Sequence, residues 1–266
     1  MLSSNIIWRL AIPTILFSII EFFPSHILRS HGFDVGTFMY KTIGGCTYWF
    51  TAALVVAELL IVGMLLTRIR TVWFYFAISC LLFAFGQLTV TNEWSLFEQY
   101  PSLPWQYKNG LYAILFMAFG GLYWKHETSI NKWMNWFSLM CMIGLYIVCL
   151  VLWPGYFNVL VSMLDVNVPG IALSLLSIII LIELCKKMPA LKILNYIGQN
   201  TIGFYFMSGA LPIVLSMVVN RLMPQSNAVG FVFVLAGSAG VGYGLVYLMN
   251  RFTPWIFDLR LLCKKH

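Results

Sequence analysis

The sequence predicts an all-α fold, a polytopic transmembrane helix bundle of about eight spanning helices in a single domain over residues 1–266. Two observations predict this class. Of the 266 residues, 61% are hydrophobic and 9% are charged, whereas a soluble domain usually carries about 25% charged residues. The apolar residues also fall into uninterrupted blocks of roughly 18–22, each long enough to cross a hydrocarbon core of about 30 Å.

The blocks predict helices rather than strands, because each one is long and continuous. Strands of a transmembrane barrel would alternate over about ten residues, and unpaired backbone is not tolerated in lipid. In chain order the predicted spans are 6–24, 47–67, 72–90, 107–124, 133–152, 168–185, 202–222 and 229–249. The first block has no basic segment before it and contains Arg9 and Pro13, so it is interpreted as a span and not as a signal peptide.

The basic residues predict the orientation. The net charge is +7, but the Lys and Arg lie in short connections between apolar blocks, which indicates membrane orientation and not nucleic-acid binding. One side holds 12 of the 16 Lys and Arg and the other holds four, so the richer side and both termini are predicted to be cytoplasmic. The richer side holds Arg9, Arg68, Arg70, Lys125, Lys132, Lys186, Lys187, Lys192, Arg251, Arg260, Lys264 and Lys265.

Glu58 lies near the middle of the second predicted span, where a charge costs several kcal/mol. It shares a helical face with Thr47 and Thr51, and this face is predicted to look into the bundle. One interpretation is a proton acceptor or polar anchor for a substrate. The other is a protonated carboxyl that hydrogen-bonds a neighbouring helix. Both stay open.

Other polar residues lie near the ends of the spans. For Glu21 and Glu183, snorkelling or a boundary ion pair is the favoured interpretation. His26 and His31 lie near Asp34 in the first outer loop, where a base and its orienter or simply a solvated loop is possible, and the loop is favoured. The six Cys contain no C-x-x-C pair, so neither a disulfide framework nor a metal site is predicted.

A polar segment opens the seventh predicted span. Gly198 is predicted to end one element, and Asn200 or Thr201 to cap the next helix. Thr201, Tyr205 and Ser208 then share one helical face. This face either lines a polar cavity or makes ordinary hydrogen bonds between helices.

Three stretches, in order along the chain, resemble motifs of the membrane-bound acyltransferase-3 family, which O-acetylates sugars of bacterial surface and secreted glycans. Residues 8–13, WRLAIP, resemble an R-x-x-R stretch followed by Pro that opens a helix. Residues 48–54, YWFTAAL, followed by Glu58, resemble a W-F-x-x-A-L stretch that opens the next helix. Residues 197–205 resemble a late I-G-x-N-[ST]-x-x-x-Y segment, and the ending at 250–255 is also similar.

The resemblance implies an enzyme of the bacterial inner membrane that moves an acetyl or other acyl group from acyl-CoA to a glycan hydroxyl. Acyl-CoA is then a donor substrate and not a tightly bound cofactor, and the bilayer and the glycan acceptor are the partners, with no nucleic acid. Arg9 would hold the CoA phosphates with its guanidinium fork. By the residues alone, Arg9 is favoured as a positive-inside anchor. Glu58 is the candidate catalytic residue, and the candidate cavity-lining residues are Trp49, Asn200, Tyr205 and Ser208.

The sequence departs from the family at three polar positions. The resemblance starts at the family's third helix, so the proposed first-helix His has no counterpart and the domain is expected to be N-terminally incomplete. Ile6 stands at the first arginine of R-x-x-R, and Ser208 stands where a late His often lies. A non-enzymatic glycan or lipid transporter and an inactive acyltransferase-like subunit are the alternatives.

Overall fold

The computed structural model describes residues 6–28, 34–67, 71–91, 105–152, 168–222 and 227–257. Within these ranges every regular element is helical, which confirms the all-α class. The α-helices are α1 Ile12–Leu28, α2 Val35–Thr42, α3 Trp49–Leu65, α4 Val72–Thr91, α5 Tyr107–Trp133, α6 Trp136–Leu152, α7 Val168–Lys187, α8 Lys192–Gln199, α9 Thr201–Leu222 and α10 Asn227–Phe252. A π-helical turn, Ile7–Ala11, precedes α1, and a 3-10 turn, Pro254–Ile256, follows α10.

Each predicted span falls on a helix, but fewer helices qualify as membrane spans by length and composition. Three segments qualify alone, namely Trp49–Leu66, Val72–Thr89 and Ala228–Phe252. Two bent pairs qualify when each is taken as one span: α5 with α6, bent by 111°, and the two halves of α9, bent by 44°. The described residues therefore contain three to five candidate spans of a membrane-spanning protein, and the predicted number of eight is not confirmed.

Large apolar side chains are exposed on these helices. Leu66 is 78% exposed, Trp124 is 77% exposed and Phe137 is 77% exposed. Exposed apolar surface on this scale is unfavourable in water, whereas lipid tails accommodate it. The exposed residues therefore agree with helices that face a bilayer.

The bend between α5 and α6 explains one difference from the predicted spans. The predicted span 107–124 is only the first part of α5, because residues 122–133 contain neither Gly nor Pro to end the helix. Asn135 follows, and its Oδ1 accepts a hydrogen bond of 2.8 Å from the Ser138 N–H. This is an N-cap contact, so α6 starts as a separate helix at a new angle.

Two short helices lie in stretches that were predicted as connections. The first, α2, begins after Asp34, whose carboxylate accepts from the Thr37 N–H at 2.7 Å and so caps the helix. The second, α8, has only eight residues. Neither is long enough for a predicted span, which is why a search for apolar blocks does not find them.

The chain divides into two compact units. The first contains residues 1–59, 95–107 and 191–266, and the second contains 60–94 and 108–190. An aromatic cluster forms the core of the first unit. Phe17 of α1 stacks on Phe206 of α9 with ring centroids 4.3 Å apart, and Tyr48 meets Phe206 edge-on at 4.9 Å. These contacts join α1, α9 and the start of α3.

The core of the second unit lies between α4 and α5. Phe83, Tyr112 and Leu115 are buried there, and the Tyr112 hydroxyl donates to the Gly86 carbonyl at 3.3 Å. A Cβ at position 86 would lie 3.1 Å from the Leu111 Cβ. Glycine therefore permits the close approach of the two helices.

Candidate functional site

Arg9 lies in the π-helical turn before α1. In this turn the Ile12 N–H donates to the carbonyl of Ile7, five residues back. Pro13 explains the wider turn, because it has no N–H to donate to the Arg9 carbonyl and its ring would collide with that carbonyl in an α-helix. The Arg9 side chain is exposed. Single π-helical turns are rare and are often found at functional sites.

Glu58 of α3 has Arg9 as its charged neighbour. The Glu58 side chain is half-buried, and the positive charge of Arg9 acts on its carboxyl. Both residues are described, and no direct ion pair of 4.0 Å or less joins them. The structure therefore places Arg9 near enough for its charge to act on Glu58, without a direct ion pair.

Polar residues of α1 and α3 meet in antiparallel order. The hydroxyls of Thr14 and Thr51 are buried and lie 2.9 Å apart in a hydrogen bond. Thr51 therefore faces α1, as the inward face predicts. Thr47 does not belong to this face, because it precedes α3 and its hydroxyl donates to the Lys41 carbonyl at 3.0 Å. The predicted stripe of three residues is thus reduced to Thr51 and Glu58.

Glu21 lies on α1 two turns beyond Thr14. Its carboxyl lies close enough to the Tyr48 hydroxyl to act on it, while its Oε2 is buried without a hydrogen-bond partner. Ser18, one turn earlier, is fully buried and its Oγ has no partner either. No cation pairs with Glu21 among the described residues, so the predicted boundary ion pair is not formed there. The sequence analysis treated Glu21 as a boundary residue and did not predict its grouping with Ser18 and Tyr48.

Two tyrosines connect this region to α9. The Tyr48 hydroxyl donates to the Phe206 carbonyl at 2.8 Å. The Tyr205 hydroxyl accepts from the Phe50 N–H at 3.3 Å, and such a contact supplies a partner to an N–H that the first turn of α3 leaves open. Trp49 is half-buried and packs edge-on against Phe50 at 5.9 Å. Tyr205 and Trp49 therefore lie together at the start of α3.

Gly209 allows α9 to approach Glu21. A Cβ at position 209 would lie 3.0 Å from Oε2 and 3.2 Å from Oε1 of Glu21, so the carboxyl rests against the backbone of α9. The helix bends by 44° between the halves Thr201–Gly209 and Leu211–Leu222. Pro212 accounts for the bend, because it cannot donate to the Ser208 carbonyl.

The predicted polar face of α9 is not assembled as one surface. Thr201 and Ser208 are exposed. The Thr201 hydroxyl donates to the Gly198 carbonyl at 2.7 Å, and the Ser208 hydroxyl donates to the Tyr205 carbonyl at 2.7 Å. Short polar side chains often bond to the preceding helical turn in this way. Of the three residues, Tyr205 is the one whose side chain contacts another element.

Asn200 joins two distant stretches of the chain. Its carbonyl accepts the Phe204 N–H at 3.1 Å, so its backbone starts α9 as predicted. Its side chain does not cap that helix. Its Nδ2 donates to the Tyr196 carbonyl at 2.8 Å, and its Oδ1 accepts from the Asn250 Nδ2 at 2.6 Å. This bond links the late segment to the stretch 250–255.

Glu183 is the centre of a charged cluster in the second unit. The Tyr123 hydroxyl donates to Glu183, and Lys186 Nζ lies 3.1 Å from Glu183 and 2.8 Å from Glu127. The predicted ion pair is confirmed, but Glu183 does not snorkel, since it is 2% exposed. Burial lowers the pKa of Lys186, but hydrogen bonds to Glu127, Tyr123 and Glu183 outweigh it and raise the pKa above its ordinary value.

The suggested pair of a histidine and Asp34 lies partly outside the described residues. Asp34 accepts from the N–H groups of Gly36 and Thr37 as a helix cap. His26 is described only by its backbone in α1, and His31 lies outside the described residues. In the described ranges no three His, Cys, Asp or Glu side chains come together as a metal site.

No protein-family model, no curated protein and no solved structure matches the chain. The resemblance to acyltransferases therefore depends on the residues quoted above and on where they lie. The polar residues of α1, the start of α3 and the late segment all fall within the first unit. Together they offer an exposed guanidinium at one end of α1 and a buried carboxyl near the other.

Proposed function

We propose that the chain is a membrane-bound O-acyltransferase that moves an acetyl or other acyl group from acyl-CoA to a hydroxyl of a cell-surface or secreted glycan. One observation carries this proposal. The stretches that resemble the acyltransferase-3 family lie near one another. The Phe50 N–H donates to Tyr205, Asn200 bonds to Asn250, and the charge of Arg9 acts on Glu58 without a direct ion pair. Motifs of one functional site are expected to meet in this way.

The donor end of this site is Arg9. Its guanidinium is exposed and has the geometry to hold phosphate through two parallel charged hydrogen bonds. Acyl-CoA carries several phosphate charges and is made in the cytoplasm, and the distribution of basic residues places this end of α1 on the cytoplasmic side. Glu58 then balances the guanidinium between donor molecules. This role makes Glu58 a positioning residue and not a base.

The topology that accompanies this proposal has eight spans with both termini in the cytoplasm of a bacterial inner membrane. The three to five candidate spans supply part of it, α1 and α7 fall on two further predicted spans, and the proposed topology takes α5 and α6 as two separate spans. With an even number of spans, Arg9 near the first span and Arg251 near the last lie on one side. That arrangement agrees with the excess of Lys and Arg there.

The test is acetyl transfer from labelled acetyl-CoA to glycan by membranes that contain the chain. Loss of a hydrogen bond to a charged group is worth about 1.5–3 kcal/mol, so Arg9→Ala should raise KM for acetyl-CoA about 10- to 150-fold. Arg9→Lys keeps the charge but loses the fork and should have a smaller effect. Arg251→Ala is the control, because Arg251 is also exposed and on the same predicted side.

Two results would count against the proposal. A KM for acetyl-CoA that is equal in Arg9→Ala and Arg251→Ala would make Arg9 a topological anchor. Membranes that bind or move glycan without transferring any acetyl group would identify a transporter. Binding of a glycan with neither transfer nor transport would identify an inactive subunit.

A further inference from the structure

Two buried polar atoms on one face of α1 have no partner in the described structure. They are Ser18 Oγ and Glu21 Oε2. Leaving a buried donor or acceptor unsatisfied costs about 1–3 kcal/mol, so folded proteins rarely retain such atoms unless a ligand uses them. Residues three apart on a helix are neighbours. Ser18 and Glu21 are therefore neighbours on one face of α1.

The chemistry of the two atoms selects the ligand. A serine hydroxyl donates one hydrogen bond and accepts others, and a carboxyl oxygen accepts. A ligand hydroxyl matches both, because its oxygen accepts from Ser18 while its hydrogen is donated to Glu21. An ammonium group could donate to both atoms but would leave the Ser18 O–H without an acceptor. A phosphate would accept from Ser18 but would repel an ionised Glu21.

Tyr48 is suited to accompany Glu21 through a change of protonation. Its hydroxyl carries a single proton, which is donated to the Phe206 carbonyl at 2.8 Å. When Glu21 is protonated, it can donate to the Tyr48 oxygen. When Glu21 is ionised, the Tyr48 proton can turn toward the carboxylate. The charge of Glu21 acts on Tyr48 and Tyr205, and both tyrosines are neutral at physiological pH.

The position of Glu21 along α1 also agrees with a role near the acyl group of the donor. Glu21 lies 12 residues after Arg9, which corresponds to about 18 Å along a helix that rises about 1.5 Å per residue. In acyl-CoA the phosphates and the thioester lie at opposite ends of a long molecule. A donor held by its phosphates at Arg9 would present the thioester far from that end, which is where Glu21 lies.

We propose that Ser18, Glu21 and Tyr48 form the subsite for the acceptor hydroxyl, and that Glu21 receives the proton of that hydroxyl. This inference rests on the proposed acyl transfer and names the group that does the work of a base. The O–H bond breaks as its proton moves to Glu21, and the oxygen bonds to the carbonyl carbon of the thioester. The C–S bond then breaks with its electron pair on sulfur. The thiolate takes the proton from Glu21, so the products are the ester and free CoA.

The first experiment compares Glu21→Gln with the native chain in acetyl transfer to methyl glucoside, a simple sugar hydroxyl. A general base contributes about 100- to 10,000-fold to a rate, so kcat should fall by that factor while KM for acetyl-CoA stays unchanged. Arg9→Ala, by contrast, is expected to raise KM for acetyl-CoA. Native-like kcat in Glu21→Gln would overturn the proposal.

A second pair of variants guards against simple misfolding. Gly209→Ala adds a methyl group within 3.2 Å of both Glu21 oxygens and displaces the flexible carboxyl without removing it. It should lower kcat, though less than Glu21→Gln does. Gly240→Ala is the matched control, because a Cβ there meets nothing within 4 Å. Equal kcat in Gly209→Ala and Gly240→Ala would contradict the positioning of Glu21.

Infrared difference spectra separate this inference from the proposed function. Purified chain with isotope-labelled glutamate is placed in lipid nanodiscs, and methyl glucoside is added without acetyl-CoA. A carboxyl band should shift in the native chain and in Gly240→Ala, and the shift should be absent in Glu21→Gln. If no acetyl transfer occurs but the shift is found, acyl transfer fails and the hydroxyl subsite stands. If transfer occurs without any shift at Glu21, the subsite fails and acyl transfer stands.

Discussion

Replacing Lys186 by Met tests the charged cluster of the second unit. The Lys186 Nζ lies 2.8 Å from Glu127, 2.8 Å from the Tyr123 oxygen and 3.1 Å from Glu183. Met keeps the length of the side chain but removes the charge and all of these hydrogen bonds. Glu183, which is 2% exposed, would retain only the Tyr123 hydroxyl as a partner. The chain should therefore become less stable.

The size of the effect follows from the exposure of Lys186. Losing a hydrogen bond to a charged group costs about 1.5–3 kcal/mol, and breaking a fully buried ion pair costs about 3–5 kcal/mol. The Lys186 side chain is 31% exposed, so solvent screening favours the lower range. We expect a loss of about 2 kcal/mol, equivalent to a fall in Tm of about 4–8 °C.

The assay is thermal unfolding of the purified chain in one fixed detergent. Lys187→Met is the matched control, because Lys187 bonds the Met134 carbonyl at 3.1 Å and lies over the Trp136 ring, and it acts on Glu183 through its charge alone, without a hydrogen bond. Equal Tm values for the two variants would refute the reasoning. A double-mutant cycle of Lys186→Met with Glu183→Gln should also show coupling. Strictly additive losses of stability would be evidence against an interaction between the two side chains.

The pH dependence of this effect has a definite sign. Burial by itself lowers the pKa of Lys186, but hydrogen bonds to Glu127, Tyr123 and Glu183 outweigh it, so the pKa is raised in the folded chain. A raised pKa means that the stabilisation is fully present below the unfolded value, about 10.4 for lysine. It is lost as the pH rises through the higher folded value. The difference between native chain and Lys186→Met should therefore stay constant from neutral pH to about pH 10 and then shrink.

Three further predictions concern topology, Glu58 and Asn200. Reporter fusions after Lys132 should report cytoplasm and fusions near Asp34 the outside, because Lys and Arg are distributed 12 to 4, and a consistent inversion would discard the orientation. Glu58→Gln should raise KM for acetyl-CoA modestly and leave kcat unchanged, whereas native kinetics in both Glu58→Gln and Glu58→Leu would remove any functional role. Asn250→Leu should lower the free energy of unfolding by about 1–3 kcal/mol because it leaves Asn200 Oδ1 without its donor, and unchanged thermal stability would show that this bond is dispensable.

The sequence predicts elements whose signal is local. Each long apolar block falls on a helix, because hydrophobic length is a property of neighbouring residues. The ion pair of Glu183 with Lys186 follows from their i,i+3 spacing. The 111° bend between α5 and α6 was not predicted, since its signal is a single cap at Asn135 inside a continuous polar stretch. Counting apolar blocks therefore gives eight spans, whereas the described helices supply three to five candidates by length and composition.

The parts of the candidate site that sequence reasoning missed are tertiary contacts. Glu21 and Tyr48 are 27 positions apart, and only the packing of α1 on α3 and α9 brings them together. Asn200 and Asn250 are 50 positions apart and carry no shared pattern. A charge near the end of an apolar block suggests snorkelling when the neighbouring helix is unknown. The one local signal was Gly209, since small residues permit close approach of helices, but such residues are common in spans.

The π-helical turn sets the rotational phase of Arg9. In an uninterrupted α-helix with about 3.6 residues per turn, five residues would place Arg9 about 140° away from Thr14 around the axis. The wider turn covers Ile7–Ala11, where each residue advances by a smaller angle, so Arg9 lies closer to the side of Thr14 than an uninterrupted α-helix would place it. Pro13 explains the wider turn, because it cannot donate to the Arg9 carbonyl. Pro13→Ala should therefore rotate Arg9 away from the side of Thr14 without altering any charged residue.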